Sequence, residues 1–559
     1  MSAKHAKALI IGKHPLTLAD VAAAARKNLR IEVAPGCRPR VENARRHVEA
    51  ALEQARAAEK AGTPIPALYG VTTGFGEHKH FIVRSEDAHL LQANILRSHA
   101  VGVGELLAED AVRTIGLLRL ATFVQGRSGV RWELIERIRD MINTDVVPCV
   151  PAQGSLGASG DLCPLAHWAL VLIGEGLARV QGVELPGTIA LKRAGIAAGF
   201  ELSYKEGLAL TNGTAVSAAV AALATIDAIN LLKHADIAGA CSAEAVGAPT
   251  RAYDEVVHQA RPHPGQIASA ANFRTLLAGS RWVNTSHEVQ ESYSIRCIPQ
   301  VHGASADAIQ YARVVIEREI NSVTDNPLFF VERDDAPPMD GGTASPFRDY
   351  SAGNFHGQPI ALTADFLGLA VAELGDIAER RIQKLLDAHH NAGLPSSLST
   401  RPGLQSGLMI AQYTAAALVS ENKTLCHPAS CDSIPTSANI EDHVSMSMTA
   451  ARHAAQIIVH VESVIAIELL CAYQAQCFRR GILPLPTEMK LPERLRPDSR
   501  RTFGAASEAV FTVLQDMGIK PLATDRPLAE DVARIRSLIR EQTILHEVER
   551  RVGALRPPL

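Results

Sequence analysis

Gly154-Ser155-Leu156-Gly157-Ala158-Ser159-Gly160-Asp161-Leu162-Cys163-Pro164-Leu165-Ala166-His167 concentrates small residues where a folded core ordinarily places bulk. Taken alone, its Ala158-Ser159-Gly160 step reads as a close-packed turn or a small-residue helix cap, because such tripeptides arise readily by chance in a chain rich in alanine and glycine. Its setting carries the information, and that setting is mainly helical.

Downstream, apolar side chains recur at spacings of three and four, as in Ile309, Ala312, Ile316 and Ile320, and again in Phe366, Ala370, Leu374 and Ile377. That spacing places each set on one helix face. Gly-bearing junctions at Asn212-Gly213, Gly353 and Gly407 separate such segments, as in a bundle whose helix ends converge on one site. Upstream, Leu9-Ile10-Ile11 predicts a short strand and Thr17 with Asp20 a helix N-terminus. A helix is expected over about 40–60, and three glycines within Tyr69-Gly70-Val71-Thr72-Thr73-Gly74-Phe75-Gly76 predict a loop.

Apolar residues make up 47% of the 559-residue chain but aromatics only 4%, which favours close-packed helices over sheets rich in Tyr and Phe. The expected fold is mainly α, with a smaller N-terminal region over 1–205, a long central helical bundle over 206–478 and a C-terminal helical region over 479–559. Segments 332–350 and 479–501 read as exposed insertions. A net charge of -3 without basic blocks argues against a nucleic-acid partner. No run approaches the ~18 uninterrupted apolar residues of a membrane helix; even 457–470 carries His460, Glu462 and Glu468. Nine cysteines without paired spacing suit reduced thiols in the cytoplasm. Cys426 and Cys431 are too isolated to suggest zinc, and no metal is expected.

With its flanks, Gly-Ser-Leu-Gly before and Asp-Leu-x-Pro-Leu-Ala after, the tripeptide resembles the signature of the aromatic amino acid lyase and aminomutase family. Seven further motifs follow the family's order: Tyr69 to Gly76, Leu91-Gln92-Ala93-Asn94 running to Arg97-Ser98-His99-Ala100, Leu210-Thr211-Asn212-Gly213-Thr214, Gln290-Glu291-Ser292-Tyr293-Ser294-Ile295-Arg296, Asp325-Asn326-Pro327-Leu328, Gly353-Asn354-Phe355-His356-Gly357 and Asn439-Ile440-Glu441-Asp442-His443. Together they cover about 16–476.

The resemblance implies that Ala158-Ser159-Gly160 condenses into 4-methylideneimidazol-5-one, with no external cofactor. The amide nitrogen of Gly160 has to reach the carbonyl carbon of Ala158, and glycine offers least resistance to the bent backbone. Loss of water from the ring and from Ser159 leaves an exocyclic methylidene, an electrophile that ordinary side chains do not provide. The implied reaction is elimination of ammonia from an aromatic amino acid, in a homotetramer with composite sites.

By the same resemblance Tyr69 is the candidate base. Lowering a phenol from pKa ~10 to ~8 takes roughly 2.7 kcal/mol, within the reach of nearby cations or helix N-termini. Arg296 is the candidate carboxylate clamp, its planar fork gripping both oxygens. Tyr293 is assigned to proton handling, Gln290 to substrate contact, Asn212 to hydrogen bonding with the prosthetic group, and Phe355 to packing on that group or the substrate. Each has a plainer alternative: a tyrosine in a Gly-rich turn, a solvated arginine, a helix cap, a core phenylalanine.

Ser98-His99 resembles the Ser-His pair of the family's histidine-specific members, Glu441 stands where phenylalanine-specific members usually have glutamine, and Met409 where those tend to carry lysine. All three imply histidine, since a buried carboxylate can accept an imidazole N–H but loses hydration uncompensated against a phenyl ring. Ile440 in place of the usual glutamine, the charged Glu77-His78-Lys79-His80 and the two insertions depart from the pattern. A lyase for phenylalanine, tyrosine or a modified histidine, a 2,3-aminomutase, and a catalytically silent helical scaffold are the alternatives.

Overall fold

The computed structural model describes residues 8–557 other than Asn28, His287, 332–346, Glu488, Lys490, Pro492 and Ser499. It is mainly α, with short strands only, as the alanine-rich, aromatic-poor composition leads one to expect. The sequence reading divides the chain into three consecutive regions, at 205/206 and 478/479. The chain instead forms two compact units, one of Met1–Leu223, Arg313–Ala364 and Pro428–Arg452, the other of Ala224–Ala312, Asp365–His427 and His453–Leu559. The reason lies in the long helices: Ala215–Ala245, Ile298–Glu319, Gln358–Leu386 and Ser447–Arg479 each contain a unit boundary.

In the first unit, Leu9–Ile11 pairs in parallel with Ile31–Val33. The helix Leu18–Arg26 starts with a capping box in which the Thr17 side chain accepts from Asp20 N while the Asp20 carboxylate accepts from Thr17 N. The helix Arg38–Ala61 ends at Gly62 in the left-handed region. Its buried face, Ala44, Val48 and Leu52, packs with Leu68, Val71, Ala88, Tyr204 and Phe329. Leu68 and Val71 flank Tyr69, so this core fixes the loop that carries the phenol.

Gln92, fully buried, ties that loop to its surroundings. Its Nε2 donates to Gly70 O at 3.2 Å, and its Oε1 accepts from Gly207 N at 2.9 Å and Leu208 N at 3.3 Å. An apolar side chain at this position would leave three buried backbone groups without partners.

In the second unit the described helices include Pro264–Leu276, Met409–Leu425, Ala505–Asp516, Ala529–Arg540 and Thr543–Val552. Fully buried Arg381 and Glu468 pair there through two hydrogen bonds, at 2.6 and 2.8 Å.

The helical periodicity is largely realised: Ile309, Ala312, Ile316 and Ile320 are buried, as are Ala370, Leu374 and Ile377. Phe366 is 47% exposed and departs from its set. Neither Ala215–Ala245 nor Ser447–Arg479 is an uninterrupted apolar run, yet both are long and apolar enough by length and composition to cross a membrane, and 83% and 78% of their most apolar windows are buried in protein. Most of 332–350 lies outside the described residues, while its end, Phe347–Tyr350, forms an antiparallel strand with Leu328–Val331. The 479–501 run is not simply exposed. Leu483, Leu491 and Leu495 are buried, and buried Arg479 donates to the carbonyls of Ala245, Leu495 and Ala392 at 2.8–3.0 Å.

Leu52→Ala should leave a cavity against the Tyr69 loop and lower stability by about 2–5 kcal/mol, read as a shift of the urea unfolding midpoint at unchanged slope.

Candidate active site

The Ala158-Ser159-Gly160 segment lies against the junction between the helices Glu206–Thr211 and Ala215–Ala245. Gly160 and Gly213 form a parallel bridge. Gly160 has φ +73°, and a Cβ placed on it would fall onto the Gly213 carbonyl, so the position admits only glycine. The contact is held from both ends: Asp161 N donates to Gly213 O at 2.8 Å and Gly213 N to Ser159 O at 3.3 Å.

Asp161, fully buried, accepts from Val216 N, Ser217 N and Ser217 Oγ at 2.7–3.0 Å, and from Ser155 Oγ at 2.8 Å. It therefore satisfies the open first turn of the Ala215–Ala245 helix. Asn212 is left free of that duty and donates through Nδ2 to Ser159 O at 3.2 Å. The Ser159 carbonyl thus has two donors, an arrangement that stabilises negative charge on its oxygen.

The Ser159 hydroxyl donates to Glu441 Oε1 at 2.6 Å, and Thr436 Oγ1 donates to Glu441 Oε2 at 3.2 Å. A cavity of about 240 Å³ opens over these groups, lined by Ser98, His99, Ala158, Ser159, Gly160 and Glu441 among others. Ser98 Oγ and His99 Nδ1 lie 2.9 Å apart. Burial lowers the His99 pKa from the ordinary histidine value, opposed by a hydrogen bond to the Ile95 backbone and by the charge of Glu441.

Tyr69 is half-buried beside Phe75, with ring centroids 6.4 Å apart, and its hydroxyl accepts from Gly76 N at 3.0 Å. Burial raises its pKa, the Gly76 hydrogen bond opposes this, and the charge of Glu441 adds to the rise. The expected help from cations or helix ends is therefore not what dominates around this phenol. The charged residues Glu77 to His80 form an exposed 3-10 turn whose first residue, Gly76, supplies that N–H. Phe355 is half-buried in a turn whose Gly357 N donates to Gly157 O at 2.9 Å, and it is not among the residues lining the cavity.

Within the second unit the structure gathers Gln290, Tyr293 and Arg296. Arg296 Nη1 donates to Gln290 Oε1 at 2.8 Å, the guanidinium lies 4.7 Å from the Tyr293 ring centroid, and Arg296 Nε has no partner among the described residues. Met409 opens the helix Met409–Leu425 and is 43% exposed. Sequence reasoning missed the anchoring roles of Gln92, Asp161, Gly213 and Thr436. A polar residue inside a family motif but without an assigned role was the available signal for Gln92 and Asp161.

The aromatic amino acid lyase family model matches residues 16–502, beyond the stretch to about 476 over which the resemblance was read. The chain is 46% identical over 551 residues to histidine ammonia-lyase of Symbiobacterium thermophilum, covering 98% of this chain and 100% of that protein. Among solved structures, tyrosine aminomutase from Streptomyces globisporus superposes with TM-score 0.86 at 33% identity, covering 98% of this chain and 100% of that one. Histidine ammonia-lyase from Trypanosoma cruzi superposes with TM-score 0.81 at 35% identity, covering 97% and 95%. The family model and the curated relatives together identify a carbon–nitrogen lyase. The chain belongs to the aromatic amino acid lyase family.

Because the folded-state pKa of His99 lies below its unfolded value, neutral His99 contributes stability that is present above about pH 6.5 and lost as the pH falls. Comparing unfolding of wild type and His99→Gln between about pH 7 and pH 5 should show the wild type losing more stability over that range.

Proposed function

We propose that the protein is a histidine ammonia-lyase that converts L-histidine to urocanate and ammonia, with 4-methylideneimidazol-5-one formed from Ala158-Ser159-Gly160 as its electrophile. The observation that carries the substrate is the joint presence of Glu441 and His99 in the cavity over Ser159. A carboxylate held there is a ready acceptor for an imidazole N–H, and His99 with Ser98 offers a second polar contact for the ring. A phenyl ring would leave these groups unpaired, at about 1–3 kcal/mol each. Curated relatives at 42–49% identity bearing the name histidine ammonia-lyase support the same reading.

The local backbone fits the prosthetic group: Gly160 is in the left-handed region with no room for a side chain, and the Ser159 carbonyl has donors on it. Once formed, the group supplies an electrophilic carbon that makes the substrate's nitrogen a better leaving group. Asn212 and the Gly213 N–H hold the Ser159 oxygen. Tyr69 takes the β-proton. Burial opposes its ionisation, and the substrate's ammonium brings compensating positive charge.

Arg296 binds the carboxylate, its Nη1 oriented by Gln290, with Tyr293 beside it for proton handling. Met409 and Phe355 complete the substrate contacts. The enzyme works in the cytoplasm as a homotetramer with composite sites. An exposed apolar groove of about 490 Å³ that includes Tyr311, Phe366 and Leu369 supports burial of that face by a second copy. All nine cysteines are free thiols, which suits a reducing compartment.

Assayed against histidine, phenylalanine and tyrosine, the purified protein should form urocanate and disfavour phenylalanine at least ~10²-fold in kcat/KM. His99→Leu with Glu441→Gln should erode that preference. Faster formation of cinnamate or coumarate would refute histidine specificity, and a β-amino acid product would mark an aminomutase. Tyr69→Phe should lower kcat at least ~10²-fold with little change in KM.

A further inference from the structure

The segment that carries Gln290, Tyr293 and Arg296 is largely at the surface of the chain: Tyr293 is 71% exposed and neighbouring Val289 98%. Its single helical turn, Tyr293–Arg296, is too short to hold a guanidinium in place through backbone hydrogen bonds alone. Three contacts brace it from within the second unit. Lys384 Nζ pairs with Glu291 at 2.9 Å, the two side chains 10% and 4% exposed. Buried Tyr253 donates its hydroxyl proton to Ile295 O at 2.9 Å. Arg381 Nη1 reaches Ser294 O at 3.5 Å.

These contacts differ in what else they do. Arg381 is embedded in a buried network: it grips Glu468, Glu468 accepts from Ser242 Oγ at 2.7 Å, and His302 lies between Arg381 and Asp236. Removing it would disturb the core generally. Among the described residues Lys384 has one ion-pair partner, Glu291. Glu291 is adjacent in the chain to Gln290, the residue that orients Arg296 Nη1.

An ion pair this buried adds little net stability, because desolvation offsets the attraction. What it does supply is a fixed place for the backbone at 291 and, through Gln290, a fixed direction for the Arg296 fork.

We infer that Lys384 is a positioning residue for recognition of the substrate's carboxylate, acting through Glu291 on Gln290 and Arg296. This rests on the reading of Arg296 as the carboxylate clamp. A bidentate grip requires both guanidinium donors to be aimed together, so a segment free to shift loses affinity for the amino acid.

The test compares Lys384→Arg, the double variant Lys384→Met with Glu291→Gln, and Arg296→Lys. The double variant removes both charges, so no orphaned buried charge complicates folding. It should raise KM for histidine roughly tenfold while kcat stays within about threefold and the melting temperature stays close to wild type. Lys384→Arg, which keeps the charge, should restore most of the affinity. If Arg296→Lys raises KM and the double variant does not, or if the double variant loses kcat and melting temperature at unchanged KM, Lys384 is merely structural and the inference fails. If Arg296→Lys leaves KM unchanged, the carboxylate assignment itself fails.

Discussion

The contact between Gly160 and Gly213 is the constraint on which the rest of the site depends. Two backbones can approach this closely only where neither carries a side chain in the way, and a Cβ on Gly160 would fall onto the Gly213 carbonyl. The approach turns two ordinary peptide groups to use. Gly213 offers its N–H to Ser159 O and accepts from Asp161 N. Asp161, whose pKa is raised by burial and lowered again by its several donors, caps the long helix that starts immediately after Gly213. One acidic side chain thus ties the Ala-Ser-Gly segment to the end of a 31-residue helix, and the segment's curvature is inherited from that anchor.

Around this anchor the two halves of the proposed chemistry have different physical requirements. The groups over Ser159 need a directional environment, and they have it: Ser159, Glu441 and Thr436 form a continuous hydrogen-bonded run, and burial shifts His99 toward its neutral form. The same environment works against a phenolate at Tyr69. A base whose ionisation is opposed in the free chain is one whose reactivity depends on the charge that arrives with the substrate. Arg296 has a different need, for orientation more than for burial, and its support comes from one ion pair and two backbone contacts beneath an exposed turn.

Much of this was legible in the sequence. The alanine-rich, aromatic-poor composition and the three-and-four spacing of Ile309, Ala312, Ile316 and Ile320 describe helices that do bury those residues. The Thr17 cap and the loop at Tyr69 stand where they were expected. The motifs brought Ser98, His99, Ser159, Asn212 and Glu441 within one neighbourhood. What was not legible depended on partners distant in the chain. Phe366 fits an apolar period yet is exposed, because periodicity marks a face without saying whether anything covers it. Arg479, in a run rich in arginine and proline, is buried because three carbonyls from remote segments accept from it. Asn212 reads as a helix cap by position, and only the structure shows Asp161 satisfying the helix end instead. The pKa of Tyr69 is likewise raised chiefly by burial under distant segments, with a smaller contribution from Glu441, hundreds of positions away.

The proposed chemistry requires the bent backbone at Ala158-Ser159-Gly160 to close into an electrophilic ring. Intact-protein mass spectrometry of the purified chain tests it most directly. The wild-type mass should fall below that of the sequence by two waters, and Ser159→Ala should show no such loss. An active wild-type enzyme at its full sequence mass would contradict it.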